Sequence, residues 1–210
     1  MLSMKVMKFL VILLMPLTIL LCVMFLVAFQ PGWYVRQFSE NNVFSQIETS
    51  VAITQNQNLL GYLLGRESLA TEFYTDREIL HLTDVRHIIA FWQIAGSGLL
   101  LVVAISVASL MRQDSRSGFR VIGWAGAVTL LTFIGLGLVL LFWFQQLFLG
   151  FHLTAFRNEF WLLDPATENL IVLYPPELFA ALIRRINLTA MAVAFGLVVG
   201  GFALGTRPKS

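Results

Sequence analysis

Four runs of the 210-residue chain are long, apolar and free of charge, and they constrain its fold more than any other feature. They cover Phe9 to Phe29, Ile88 to Met111, Val121 to Phe144 and Ile186 to Leu204. An uncharged apolar stretch of about 18 residues or more is long enough to cross a bilayer as a helix. Composition agrees: 58% of the residues are hydrophobic and 12% charged, against roughly 45–50% and about 25% in soluble domains. The expected fold class is an all-α membrane protein with four transmembrane helices. Pro16 lies inside the first run, where a membrane helix tolerates it. That run is 21 residues long, longer than the usual apolar core of about 7–15 in a cleaved signal. The exit Val27-Ala28-Phe29-Gln30-Pro31 lacks a small-x-small cleavage site, so the run reads as an uncleaved anchor.

Basic residues in short loops set the orientation of such a chain. Lys5 and Lys8 precede the first run, Arg112, Arg116 and Arg120 sit in the tight loop 112–120, and Arg207 and Lys209 follow the fourth. Those three segments contain a single acid, Asp114. Segments 30–87 and 145–185 carry seven basic and eleven acidic residues. Both termini are therefore expected in the cytoplasm, with two long loops outside. The expected organisation is a tail and span over 1–29, an outer loop 30–87, a span 88–111, an inner loop 112–120, a span 121–144, an outer loop 145–185, a span 186–204 and an inner tail 205–210.

The outer loops are too apolar to be linkers. Trp33, Tyr34, Phe38, Phe44, Tyr62, Phe73 and Tyr74 crowd the first. Aromatic residues at a membrane boundary favour headgroup depth, and this density predicts an extracytoplasmic cap folded from the two loops. Thr75-Asp76-Arg77-Glu78 is a capping box and predicts a helix from Asp76 that runs straight into the second span. Asp164-Pro165 signals a turn. Leu170 to Tyr174 reads as a strand or extended segment. Pro175-Pro176-Glu177 reads as a helix start leading into the fourth span.

Few side chains are available for chemistry. Cys22 is the single cysteine, and the histidines are His81, His87 and His152. His81 stands seven residues before the second apolar run and His152 eight after the third. The two should lie at similar depth outside the membrane. His87 is six residues from His81, which turns it away on a helix, and it reads as an interfacial anchor. Zinc usually takes three or four close ligands, and the chain has no His-x-x-x-His pair or cysteine cluster; a site of His81, His152 and Asp84 is conceivable but weakly signalled, and no metal and no cofactor are expected. The spans hold no ionisable residue for a charged pathway. The small net charge of +2 gives no argument for nucleic acid. Gly196-x-x-x-Gly200 and Gly201-x-x-x-Gly205 permit close helix packing, within the bundle or between copies. What remains is acid–base work at the outer surface: neutral imidazole exchanges protons near pH 7. Asp84 is one turn from His81 and could fix its tautomer.

Glu78-Ile79-Leu80-His81-Leu82-Thr83-Asp84-Val85 resembles the signature before the second helix of the lipoprotein intramolecular transacylases (Lit). Phe151-His152-Leu153-Thr154-Ala155-Phe156-Arg157-Asn158, then Trp161 to Pro165, Leu170-Ile171 and Tyr174 through Phe179, resemble the family's second signature. The double proline 175–176 departs from the single one expected, and the first half of loop 30–87 gives no comparable match. The resemblance implies an acyltransferase acting on diacylglyceryl-modified bacterial lipoproteins among membrane lipids. It would move the sn-2 acyl chain to the α-amine of the N-terminal cysteine, leaving a lyso lipoprotein. It also implies His81 and His152 as the catalytic pair, with Asp84, Asn158, Trp161, Asp164 and Tyr174 lining the site or holding its second loop. Two other readings stand beside it. One is a membrane acyl hydrolase using the same histidines; the other is a non-catalytic four-span partner protein.

Overall fold

A computed structural model describes residues 3–206 of the chain. Arg207 and Lys209 of the basic tail lie outside the described residues. Within them the fold is helical: α1 Met4–Ala28, α2 Pro31–Glu40, α3 Thr49–Leu63, α4 Asp76–Gln113, α5 Ser115–Ala155, α6 Asn169–Leu173 and α7 Pro176–Gly205, with two short 3-10 turns and no strand. The chain divides into two compact units, one built from Met1–Val27, Gln93–Phe142 and Arg184–Ser210, the other from Ala28–Trp92 and Trp143–Ile183.

The first unit holds the apolar parts of α1, α4, α5 and α7, each long and apolar enough to cross a membrane. Phe9, Leu26, Ile94, Leu131 and Leu141 are each more than half exposed on it. So much bare apolar surface suits lipid, not water. In lipid there is little hydrophobic drive between helices, so close packing through small residues holds them together. Gly123 and Gly126 of α5 face Gly201 and the Ala194–Val198 turn of α7. A Cβ on Gly126 would lie 2.9 Å from the main-chain nitrogen of Val198, and one on Gly201 would meet the Gly123 backbone. The two glycine pairs on α7 therefore differ. Gly201 and Gly205 are packed on α5, whereas a Cβ on Gly196 or Gly200 would meet nothing within 4 Å.

The second unit is built from α2, α3, the first turns of α4, the end of α5, α6 and the start of α7. Pro31 opens α2 at a position where its missing N–H is no loss. Glu48 caps α3 by accepting from the Ser50 N–H. At the other end Gly65 takes the left-handed φ of 74°. There Gly65 N–H donates to Tyr62 O and Arg66 N–H to Gly61 O, the paired bonds of a Schellman stop. The core gathers Tyr34, Phe38, Leu59, Leu173, Tyr174 and Leu178. The Tyr174 ring lies 5.7 Å from Tyr34 and 6.0 Å from Phe38, and its hydroxyl donates to Asn56 Oδ1 at 2.7 Å.

The capping box forms as the sequence predicts. Thr75 N–H donates to Glu78 Oε2 at 2.6 Å and Glu78 N–H to Thr75 Oγ1 at 3.3 Å. The other Glu78 oxygen, Oε1, accepts the Leu170 N–H from the second loop. This carboxylate is fully buried. One expectation fails: Leu170 to Tyr174 is no strand. Its first four residues belong to α6, whose end is closed by Tyr174 N–H donating to Leu170 O at 2.8 Å. A short apolar run does not distinguish strand from buried helix, and no second strand is present among the described residues to pair with it.

Two outcomes test this packing. Gly201→Ala should lower the stability of the detergent-solubilised protein by about 1–3 kcal/mol, read as a fall in Tm, whereas Gly196→Ala should leave it unchanged or slightly raised. Glu78→Ala removes both halves of a buried bridge and should cost about 2–4 kcal/mol.

Candidate active site

Helix α4 carries His81 and Asp84 one turn apart, and the end of α5 carries His152. Trp143 interrupts the regular helical dihedrals of α5, with φ −129° and ψ 25°, before the turns that present Phe148, Phe151 and His152. The two imidazole centroids are 6.3 Å apart, with the ring planes 31° from parallel. Phe156 packs against both rings, 4.9 Å from His81 and 5.6 Å from His152. Phe148 and Trp161 close the other sides of His152 at 4.4 and 5.1 Å. His81 is 8% exposed. Two of the chain's three histidines thus meet inside an aromatic box, and His87 is exposed outside it.

The two rings are held differently. His152 Nδ1 lies 2.7 Å from the Phe148 carbonyl oxygen. A carbonyl only accepts, so in neutral His152 the proton sits on Nδ1 and Nε2 keeps its lone pair. His81 Nδ1 is buried with no partner among the described residues. Burial pushes the His81 pKa down to about 4, helped by the neighbouring His152 and opposed by Asp84. Loss of hydration is the larger cause: an imidazolium in this apolar box would forgo water without gaining an acceptor.

Asn158 ties the two histidine-bearing segments. Its side-chain N–H donates to Asp84 Oδ2 at 2.9 Å. Its Oδ1 accepts from Phe160 N–H, and its main-chain oxygen accepts from the Trp161 indole N–H at 2.9 Å. The indole so held is the one stacked beside His152. Asp84 therefore bonds to Asn158, and the expected tautomer-fixing bond to His81 is replaced by a purely electrostatic influence. The structure brings His81, His152, Asp84, Asn158 and Trp161 together. Asp164 and Tyr174 lie elsewhere. Asp164 is exposed and shapes a turn, its Oδ1 accepting from Ala166 N–H and its own N–H donating to Glu168. Tyr174 is in the core of the unit and connects to His152 only through a series of rings, Phe179 and then Phe148. Glu78 as a bridge between loops escaped the sequence reading, whose capping box accounted for only one of its oxygens. Among the described residues no three histidine, cysteine or carboxylate groups converge as metal ligands would.

This arrangement can be set against known proteins. The sequence profile of the lipoprotein intramolecular transacylase Lit family matches residues 9–179, a stretch that contains both histidines of the box. The chain belongs to the lipoprotein intramolecular transacylase family. It is a multi-pass membrane acyltransferase whose substrates are lipoproteins. The fold matches the in meso structure of Lit from Bacillus cereus with a TM-score of 0.87 at 17% identity, covering 96% of this chain and 95% of that one. Two structures of histidine variants of the same Bacillus cereus protein, one to arginine and one to alanine, match at a TM-score of 0.81 and 17% identity, covering 96% of this chain and 91% and 93% of theirs. No curated protein sequence matches the chain.

Lowered proton affinity at His81 has a consequence for stability. In the unfolded chain this histidine titrates near 6.5, in the folded one near 4. Between those values the unfolded state binds the extra proton, so stability falls as pH drops from about 6.5 to about 4 and is fully present above that window. Compared with His81→Asn, the wild-type protein should lose up to about 3 kcal/mol of relative stability over that range, measured by thermal unfolding in detergent at a series of pH values.

Proposed function

We propose that His81 and His152 carry out an intramolecular O-to-N acyl transfer on the diacylglyceryl-modified N-terminal cysteine of a bacterial lipoprotein. The reading rests chiefly on the 6.3 Å pairing of the two imidazoles in an apolar box. The α-amine is the nucleophile and the sn-2 ester of the same molecule the acceptor. Attack forms an eight-membered ring through the amine nitrogen, Cα, Cβ, sulfur, two glyceryl carbons, the ester oxygen and the carbonyl carbon. A ring of that size closes reluctantly, so the enzyme contributes mostly by holding amine against ester, an effect that can reach about 7–11 kcal/mol.

The two histidines take different roles. His152 presents a free Nε2 lone pair and serves as the base. Its Nδ1–H stays on the Phe148 carbonyl throughout, which holds the ring in one orientation. The α-amine is mostly protonated at neutral pH, with an ordinary pKa of about 7.7–8.0; it first releases one proton to solvent, and as the free amine attacks, a second proton passes from its nitrogen to His152. The carbonyl oxygen gathers negative charge, and neutral His81 donates its N–H there. A low proton affinity suits that role, because a neutral imidazole remains a donor without becoming an acid in its own right. When the ester C–O bond breaks, His152 returns the proton to the departing sn-2 oxygen. The products are an N-acyl amide and a free glyceryl hydroxyl. Trp161, Phe148 and Phe156 keep water from the base, which disfavours loss of the acyl chain as free acid. Asp164 and Tyr174 support the second loop.

The charge asymmetry of the loops supports the cell membrane as the location, with both termini in the cytoplasm and the site on the outer side, among membrane lipids and away from nucleic acid. Membrane-impermeant labelling of single cysteines at each terminus should give no reaction in intact cells; a labelled C-terminus overturns this orientation. His81→Ala and His152→Ala should each lower lyso lipoprotein formation at least ~100-fold while the protein stays in the membrane, read by mass spectrometry of lipoprotein N-termini. Full activity in either variant overturns the pair. Release of free fatty acid in place of the N-acyl product would make the enzyme a hydrolase.

A further inference from the structure

The site must also recognise a cation, because its nucleophile arrives as an ammonium. This inference rests on the acyl-transfer reading above. Asp84 is close enough to His81 to act on its charge and is placed to meet that cation. It lies one turn from His81 on α4, where side chains three apart share a face. It is half-buried, and one oxygen, Oδ2, is fixed by the neutral Asn158 amide. Its other oxygen makes no hydrogen bond or ion pair among the described residues. Two cations on the same helix are engaged elsewhere: the Arg86 guanidinium sits 4.6 Å above the Tyr62 ring, and Arg77 donates to Glu159 O. Glu78 is fully buried with both oxygens taken, and Glu168 is buried against the Asp164 N–H. Glu159, Asp164 and Glu177 are exposed.

We propose that Asp84 Oδ1 receives the α-ammonium of the lipidated cysteine and so makes the enzyme select substrates with a free N-terminus. Asn158 holds the carboxylate in place, and the bond it makes leaves one oxygen turned over to the substrate. A carboxylate oxygen with no partner of its own is open to such a donor, and a charge-assisted N–H···O bond is among the stronger polar contacts a site can offer. Bound this way, the ammonium is held on the His81 face of α4 until it releases one proton to solvent and attacks as the free amine, with His152 taking the second proton.

The test uses the full-length protein in detergent and two synthetic S-diacylglyceryl-cysteinyl peptides, one with a free α-amine and one N-acetylated. The wild-type protein should bind the free-amine peptide at least tenfold more tightly. Asp84→Asn keeps an oxygen for the Asn158 amide and should bind both peptides alike, at about the affinity of the wild-type protein for the acetylated one. If Asp84→Asn still prefers the free amine as strongly as the wild type, the proposal is wrong. If it loses affinity for both peptides equally, Asp84 acts only in shaping the site, and the proposal is also wrong. The readout is binding, so it holds whether or not the peptide is turned over. Failure of the acyl-transfer reading would show separately, as wild-type protein that binds the free-amine peptide but makes no N-acyl product.

Discussion

The second unit depends on one buried carboxylate. Glu78 is fully enclosed, and each of its oxygens accepts a main-chain N–H, one from Thr75 in its own capping box and one from Leu170 in the second loop. A buried carboxylate left without donors is costly, and so is a helix N-terminus left without acceptors. The starts of α4 and α6 offer donors without acceptors, and Glu78 offers acceptors without donors. Satisfying all of them at once forces two chain segments 92 residues apart into contact. Two further ties follow along the same helix: Arg77 donates to Glu159 O and Asp84 accepts from Asn158. The first turns of α4 therefore act as a rail on which the second loop is hung.

The pairing of the histidines is a consequence of that rail. His81 follows Glu78 by three residues, on the same side of α4. Once the second loop is fixed to this helix at Arg77, Glu78 and Asp84, the end of α5 brings His152 to within 6.3 Å of His81. The aromatic walls then set the chemistry of each ring. Phe156 takes water away from His81 and keeps it neutral. The Phe148 carbonyl fixes the proton on Nδ1 of His152 and leaves the other nitrogen free. Two identical side chains thereby sit in unlike surroundings, one buried without a partner for Nδ1 and the other tied through Nδ1 to a carbonyl.

The two units solve the packing problem in different solvents. Where α5 meets α7, no aqueous drive is available, and the contact is made by glycines that let the main chains approach. In the second unit the core is aromatic and its polar groups are internal, with the Tyr174 hydroxyl on Asn56 as the clearest case. The two glycine repeats on α7 look alike as letters. Gly201 and Gly205 are buried against α5 while Gly196 and Gly200 face open space, because four-residue spacing places each pair on its own stripe of the helix.

Much of this protein was legible in its sequence because the signals are local. The spans follow from runs of uncharged apolar residues, the start of α4 from the Thr75–Glu78 box, and the start of α7 from Pro175 and Pro176. His81 and His152 stood out through scarcity and matching distance from the apolar runs. Other features are decided by contacts between distant segments, which no local pattern encodes. Leu170 to Leu173 is helical because Glu78 takes up the Leu170 N–H and no second strand is at hand. Asp84 turns to Asn158 in place of His81, Asp164 serves a turn, and Tyr174 fills the core. The sequence by itself determined which residues could carry chemistry and that four helices span a membrane. Only the tertiary structure decided which of those residues meet, because a hydrogen bond between positions tens of residues apart exists only after both segments have folded around it.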